Sequence, residues 1–211
     1  MIYDFAASAL ATLLVTLDPP ALAPVFLSVT RGMTRLERWQ TGLRASIIAF
    51  GILSAFALIG EYTLKLLGIG LPAFRIAGGI LLFYIAFEMV FEQSNNRKQN
   101  TVDQAITKDH IKNVAAFPLG IPLMAGPGAI TATILLASKV QDDYMQLGIL
   151  IGLIAFCIGC CLAVFAAAER VSVLLGVTGN ILLSRLLGVV LAGLAVQFII
   201  NGIAILLSVK F

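Results

Sequence analysis

Leu17-Asp18-Pro19-Pro20-Ala21-Leu22-Ala23-Pro24-Val25-Phe26-Leu27-Ser28-Val29-Thr30 sets a carboxylate and three prolines in the middle of an apolar run over residues 5–30. The same spacing, P-x4-P-x3-[ST]-x-T, returns 103 residues later as Pro122-Leu123-Met124-Ala125-Gly126-Pro127-Gly128-Ala129-Ile130-Thr131-Ala132-Thr133. A proline inside a helix removes a backbone donor and crowds the carbonyl four residues back. Breaks are therefore predicted at Leu17 to Pro24 and at Phe117 to Gly128, with helix resuming after Pro24 and after Pro127. Broken backbone facing lipid costs several kcal/mol per unpaired group, so both breaks must face protein or a water-filled cavity.

Further apolar blocks lie at 43–60, 66–91, 111–138, 144–168 and 171–209. A membrane-spanning helix needs ~20 apolar residues, so six spans use most of the 211 residues, 60% of which are hydrophobic. Charged residues make up 12% and mean hydropathy is +1.01, which excludes a soluble enzyme or a nucleic-acid binder. The net charge of +3 comes from basic residues in short joints, where they act as topology signals. Arg31, Arg35, Arg38, Arg44, Arg97, Lys98, Lys108, Lys112, Arg170 and Arg185 fall in loops one, three and five, which are ten of the fourteen basic residues. The positive-inside bias then places both termini outside. No cleavable secretory signal is expected, because the first basic residue, Arg31, follows the apolar run instead of preceding it.

The expected fold is all-α: one transmembrane domain of six helices, with spans 1 and 4 broken. A second match, Leu66-Leu67-Gly68 with Arg75 and Gly78 against Leu174-Leu175-Gly176 with Arg185 and Gly188, extends the repeat. Repeat 1 spans 1–92, a cytoplasmic linker 93–110, and repeat 2 spans 111–211. Three spans per half invert the second half relative to the first, the build of many secondary transporters. The resumed helices would aim two N-termini at the middle of the bilayer, where free amides favour an anionic group. Ser28, Thr131 and Thr133 add hydroxyls, and the carbonyls freed before each break suit a cation. A small zwitterion fits both ends, with Asp18, Pro19, Pro24, Pro122, Gly126, Pro127 and Gly128 completing the predicted substrate and ion site.

Asp18 is costly inside an apolar block and is by default functional; it is the residue expected to carry a coupling proton or sodium. Arg75 and Arg185, at equivalent repeat positions, are expected as interfacial anchors or cavity-lining partners. Gln197, with Asn201, is expected to bond between helices and to border the cavity. Glu88 is read as interfacial and His110 as solvated. Cys157, Cys160 and Cys161 lie in one apolar block and are expected to pack there; a thiol relay is the disfavoured alternative. No metal, cofactor or catalytic constellation stands out, so no enzyme is expected.

Asp18-Pro19 through Pro24-Val25-Phe26-Leu27, Pro72-Ala-Phe-Arg-Ile-Ala-Gly-Gly79, Pro122-Leu-Met-Ala-Gly-Pro-Gly-Ala-Ile130 and Ala195-Val-Gln-Phe-Ile-Ile-Asn-Gly202 together resemble the MarC family of bacterial inner-membrane proteins over nearly the whole chain. The resemblance implies the wider LysE-like group of exporters: six spans, inverted halves and periplasmic termini. For one branch it implies transport of small neutral amino acids such as glycine and alanine. Ala21 and Leu22 stand where a common family form has Gly and Asn. The competing expectations are a carrier of an ion, a drug-like or lipid-intermediate cargo, or a non-transporting partner subunit. A lipid cargo would call for a lateral groove and a basic cluster at one leaflet.

Overall fold

The computed structural model describes residues 2–91, 115–140 and 143–208, and among them all regular structure is helical. The expected linker at 93–110, with His110, lies outside the described residues. The helices are α1 (Ile2–Leu17), α2 (Pro19–Val29), α3 (Arg35–Leu66), α4 (Leu71–Val90), the wide broken segment α5 (Ala115–Met124), α6 (Pro127–Ala137), α7 (Tyr144–Ala166) and α8 (Ala168–Ser208). Five helical stretches are long and apolar enough to cross a membrane, or six if the bent pair α5–α6 counts as one span.

Local chemistry sets the helix starts outside the apolar blocks. Thr34 and Glu37 form a reciprocal capping box at α3: the Thr34 amide donates to Glu37 Oε2 at 2.7 Å and the Glu37 amide to Thr34 Oγ1 at 3.3 Å. Asp143 caps α7 by accepting from the Met145 and Gln146 amides at 2.9 and 3.3 Å. With 32 residues, α3 is about 48 Å long at 1.5 Å per residue. It therefore overruns the 43–60 block at both ends. Gly68 and Gly176, matched in the Leu-Leu-Gly repeat, both adopt positive φ, 70° and 59°. The first ends the turn after α3, and the second breaks α8 eight residues after it begins. Only glycine takes this conformation without a Cβ penalty.

Helix α4 packs along α8, and the direction follows from three close approaches. A Cβ on Gly202 would meet the Pro72 carbonyl at 2.9 Å, one on Gly79 the Ala195 carbonyl at 2.8 Å and Ile199 Cγ1 at 2.6 Å, and one on Gly188 the Ala86 carbonyl at 3.0 Å and Met89 Cβ at 2.9 Å. Numbers rise along α4 as they fall along α8, so the two helices run antiparallel for their shared length. Without a hydrophobic drive between helices in lipid, small residues that admit backbone-to-backbone approach hold such pairs together. The other packed pairs are α3 with α5, α6 and α7; α1 with α6, α7 and α8; α2 with α7 and α8; α4 with α6; and, less extensively, α7 with α6 and α8.

Gly79→Ala should cost ~1–3 kcal/mol, the usual range for overpacking, because the neighbour is backbone. Gly193→Ala, with nothing within 4 Å of the added carbon, should leave stability unchanged. Thermal unfolding of the two purified variants in detergent checks the contrast.

Candidate functional site

The first break is a single residue. Asp18 ends α1 by donating its amide to the Leu14 carbonyl at 2.9 Å and caps α2 in the left-handed conformation, φ 47° and ψ 62°. Aspartate and asparagine are the non-glycine residues that enter this region most readily. Pro19 and Pro20 then take the first two positions of α2, where the amide has no helical acceptor anyway. Helix therefore resumes at Pro19, not after Pro24 as the spacing predicted. Pro24 lies inside α2 and removes only the bond to the Pro20 carbonyl. As a result Ser28 sits in the last turn of α2 and cannot serve the N-terminal end. The Asp18 residue itself is 3% exposed.

The second break is spread out. Phe117 and Ile121, each preceding a proline, are extended at φ −134°, ψ 125° and φ −128°, ψ 130°, the region to which a following proline confines a residue. The Ala125 amide reaches back to the Gly120 carbonyl at 2.9 Å. Gly126 then caps α6, Pro127 opens it, and the axis turns by 56°. Thr131 and Thr133 fall in the second turn of α6, both buried. Thr133 Oγ1 donates to the Ala129 carbonyl at 2.7 Å, which leaves its oxygen able to accept. A Cβ on Gly78 would come within 2.7 Å of the Thr131 methyl, and one on Gly128 within 2.5 Å of Ile85 Cδ1, so the start of α6 lies directly on α4. The structure thus brings Pro122, Gly126, Pro127, Gly128, Thr131 and Thr133 into one segment. Asp18, Pro19 and Pro24 belong to the other, and α1, which carries the first break at its end, packs on α6.

The predicted flanking residues divide. Arg75 is half-buried and donates from Nη2 to the carbonyl and hydroxyl of Ser138, both at 3.4 Å. It ties α4 to the C-terminal end of α6. Burial, and secondarily Arg75, push the ammonium of neighbouring Lys139 below its ordinary value; that ammonium lies 4.7 Å over the Phe198 ring. Arg185 is exposed on α8. Gln197 does not bond across to another helix: it is exposed and donates to Asn201 Oδ1 at 2.9 Å, one turn along the same helix. Its polar group is satisfied locally. Cys157 and Cys161 are buried on α7 and none of the three cysteines forms a disulfide among the described residues, in keeping with packing.

Sequence reasoning missed two things. Glu88 is 4% exposed on α4, enclosed by protein and not open at an interface. Its place at the end of an apolar block, one turn before Glu92, gave no sign of that. The second is a cavity of about 470 Å³ where α2 ends, α3 begins and α7 meets α8. Phe26 and Phe165 stack on its wall, with ring centroids 4.4 Å apart. Arg35, Arg38, Trp39, Glu169 and Arg170 also line it; in the sequence the three arginines had served only as topology signals.

Gly126→Ala sets a Cβ 2.5 Å from the Pro122 carbonyl, which is backbone, whereas Gly128→Ala meets only the tip of Ile85. The first should lower stability by ~1–3 kcal/mol and the second by much less, as measured by thermal unfolding. At the other break, Asp18→Asn should fold as the parent does, and Asp18→Val should lose ~1–3 kcal/mol for a β-branched residue at positive φ.

Residues 3–207 match the MarC family integral membrane proteins, and the chain belongs to that family. It is 39% identical over 191 residues to a UPF0056 membrane protein of Methanocaldococcus jannaschii, covering 89% of this chain and 90% of that one. The UPF0056 membrane protein YhcE of Escherichia coli is 34% identical over 191 residues, 90% and 88% of the two chains. A UPF0056 membrane protein of Aquifex aeolicus is 34% identical over 205 residues, 93% and 91%. No solved structure matches.

Proposed function

We propose that this integral membrane protein is a secondary transporter of small neutral amino acids of the glycine or alanine type, coupled to protons or sodium. The observation that carries the reading is the pair of helix restarts, at Pro19 beside a buried carboxylate and at Pro127 beside two buried threonines. Half-helix N-termini inside a membrane domain offer free amides and a positive dipole end to a substrate carboxylate, and unwound carbonyls offer themselves to a cation. In this reading Asp18 carries the coupling ion, Pro19 and Pro24 shape the first half-helix, and Pro122, Gly126, Pro127, Gly128, Thr131 and Thr133 shape the substrate-binding one. The domain sits in the plasma membrane with both termini outside, as the basic loops favour.

An inverted pair of three-helix halves, 1–92 and 111–211, would let the carrier open to either side in turn. The packing supports it. Exchanging the halves turns α1 against α7 into α5 against α3, α2 against α7 into α6 against α3, and α2 against α8 into α6 against α4, and each of these pairs is in contact. The self-related pairs α3 with α7 and α4 with α8 pack as well.

Thermal unfolding of the purified protein against small amino acids, with and without sodium and at two pH values, tests the proposal. A substrate at about 100 Kd should stabilise by ~2.7 kcal/mol, and Asp18→Asn should abolish the sodium or pH dependence of that gain. Stabilisation by no amino acid would overturn the substrate class. Ion dependence retained in Asp18→Asn would overturn the role of Asp18.

A further inference from the structure

The cavity at the end of α2 is separate from the breaks, at the opposite end of that helix from Asp18, and its lining has a chemistry of its own. One side is aromatic and aliphatic: Phe26, Leu27, Leu162 and Phe165. The other carries Arg35, Arg38 and Arg170 with a single acid, Glu169. That acid is already engaged, since Arg38 Nη1 lies 2.7 Å from Glu169 Oε1. The cavity therefore presents two further guanidinium groups, on Arg35 and Arg170, with no lining carboxylate left to answer them. Arg38 adds a donor: its Nε is buried and has no hydrogen-bond partner, an arrangement that costs free energy until an acceptor arrives. Three forked cations around a space of this volume suit a phosphate oxyanion, which guanidinium groups bind in bidentate fashion. The first turn of α8, where Ala168 also lines the cavity, adds the positive end of a helix dipole.

A free anion would not need the apolar wall. Trp39, half exposed at the cavity, and exposed Leu36 beside it mark the level of the membrane–water interface, where tryptophan concentrates. A basic pocket between helices at that level, with an apolar floor, matches an amphiphile with an anionic head. We propose that this cavity is a binding site for an anionic phospholipid, its phosphate held by Arg35, Arg38 and Arg170 and its glycerol and upper acyl carbons laid against Phe26 and Phe165. The site does not depend on which solute crosses at the breaks.

Lipid titration of the delipidated protein, followed by native mass spectrometry and thermal unfolding, tests it with phosphatidylglycerol, phosphatidylcholine and inorganic phosphate as separate arms. Phosphatidylglycerol should bind about tenfold or more tightly than phosphatidylcholine. A basic residue near a lipid surface is worth about fivefold in affinity, so Arg35→Gln with Arg170→Gln should weaken that binding about twenty-fivefold. Both side chains are exposed, so the lipid-free protein should unfold at the parent temperature. Arg38→Lys keeps the charge facing Glu169 but removes Nε, and should also weaken phosphatidylglycerol. Arg31→Gln with Arg44→Gln, which alters the same end of the molecule outside the cavity, should leave binding as it was. Equal binding of both lipids, an equal loss in the Arg31 and Arg44 variant, or full competition by inorganic phosphate would each overturn the proposal.

Discussion

In a bilayer every backbone amide and carbonyl must find its partner within the protein, and an interruption in a helix survives only where other helices surround it. That constraint governs this chain. Its two interrupted helices carry most of the prolines, and both are held inside. The break at Asp18 is flanked by buried Leu17, Pro19, Ala21 and Leu22. The break before Pro127 has α3 on one side and α4 on the other. The helices that meet lipid, α3, α7 and the long part of α8, are the ones left uninterrupted across their apolar cores. Their windows are only 33%, 33% and 22% buried, against 61% for the broken first helix.

Sheathing two breaks requires the surrounding helices to come close, and glycine supplies the closeness. Along α4, Gly78 admits the Thr131 methyl of α6 while Gly79, next in sequence, admits Ala195 and Ile199 of α8. Adjacent residues point to different neighbours, so the pair wedges α4 between the second broken helix and its longest partner. Gly60 plays a similar part between α3 and Ile134 of α6, where an added Cβ would stand 2.7 Å from Ile134 Cγ1. The small residues thus locate the broken helix α6 from two sides.

Much of this was legible. Apolar blocks near ~20 residues mark spans because hydrocarbon thickness fixes their length, and they placed each long helix. The paired prolines fall at the single-residue step of Asp18 and at the bend before Pro127, and the matched Leu-Leu-Gly stretches end on two glycines of positive φ. What was not legible depends on neighbours distant in sequence. Nothing around Glu88 foretells that it is buried. Arg35, Arg38 and Arg170 look like ordinary loop charges until the first turn of α8 carries Glu169 to within 2.7 Å of Arg38. Gln197 looked like interhelical glue because the sequence cannot say which flank of α8 faces outward.

The starting register of α2 was misread for a more instructive reason. Aligned by their prolines, Asp18 corresponds to Ile121 and Pro20 to Leu123, and these two differences decide how each helix breaks. Asp18 can turn the chain in one left-handed step, after which two prolines seed the new helix at once. Ile121 is β-branched and cannot enter that conformation without a steric penalty. It stays extended, held there by Pro122. The chain then needs four more residues and Gly126 before the helix restarts at Pro127. Equal spacing of prolines therefore predicts where a helix is interrupted, and the residue preceding the first proline determines how many residues the interruption takes. In the first half that residue is also the buried acid, so the side chain that shapes the break is the same one that brings a carboxylate to it.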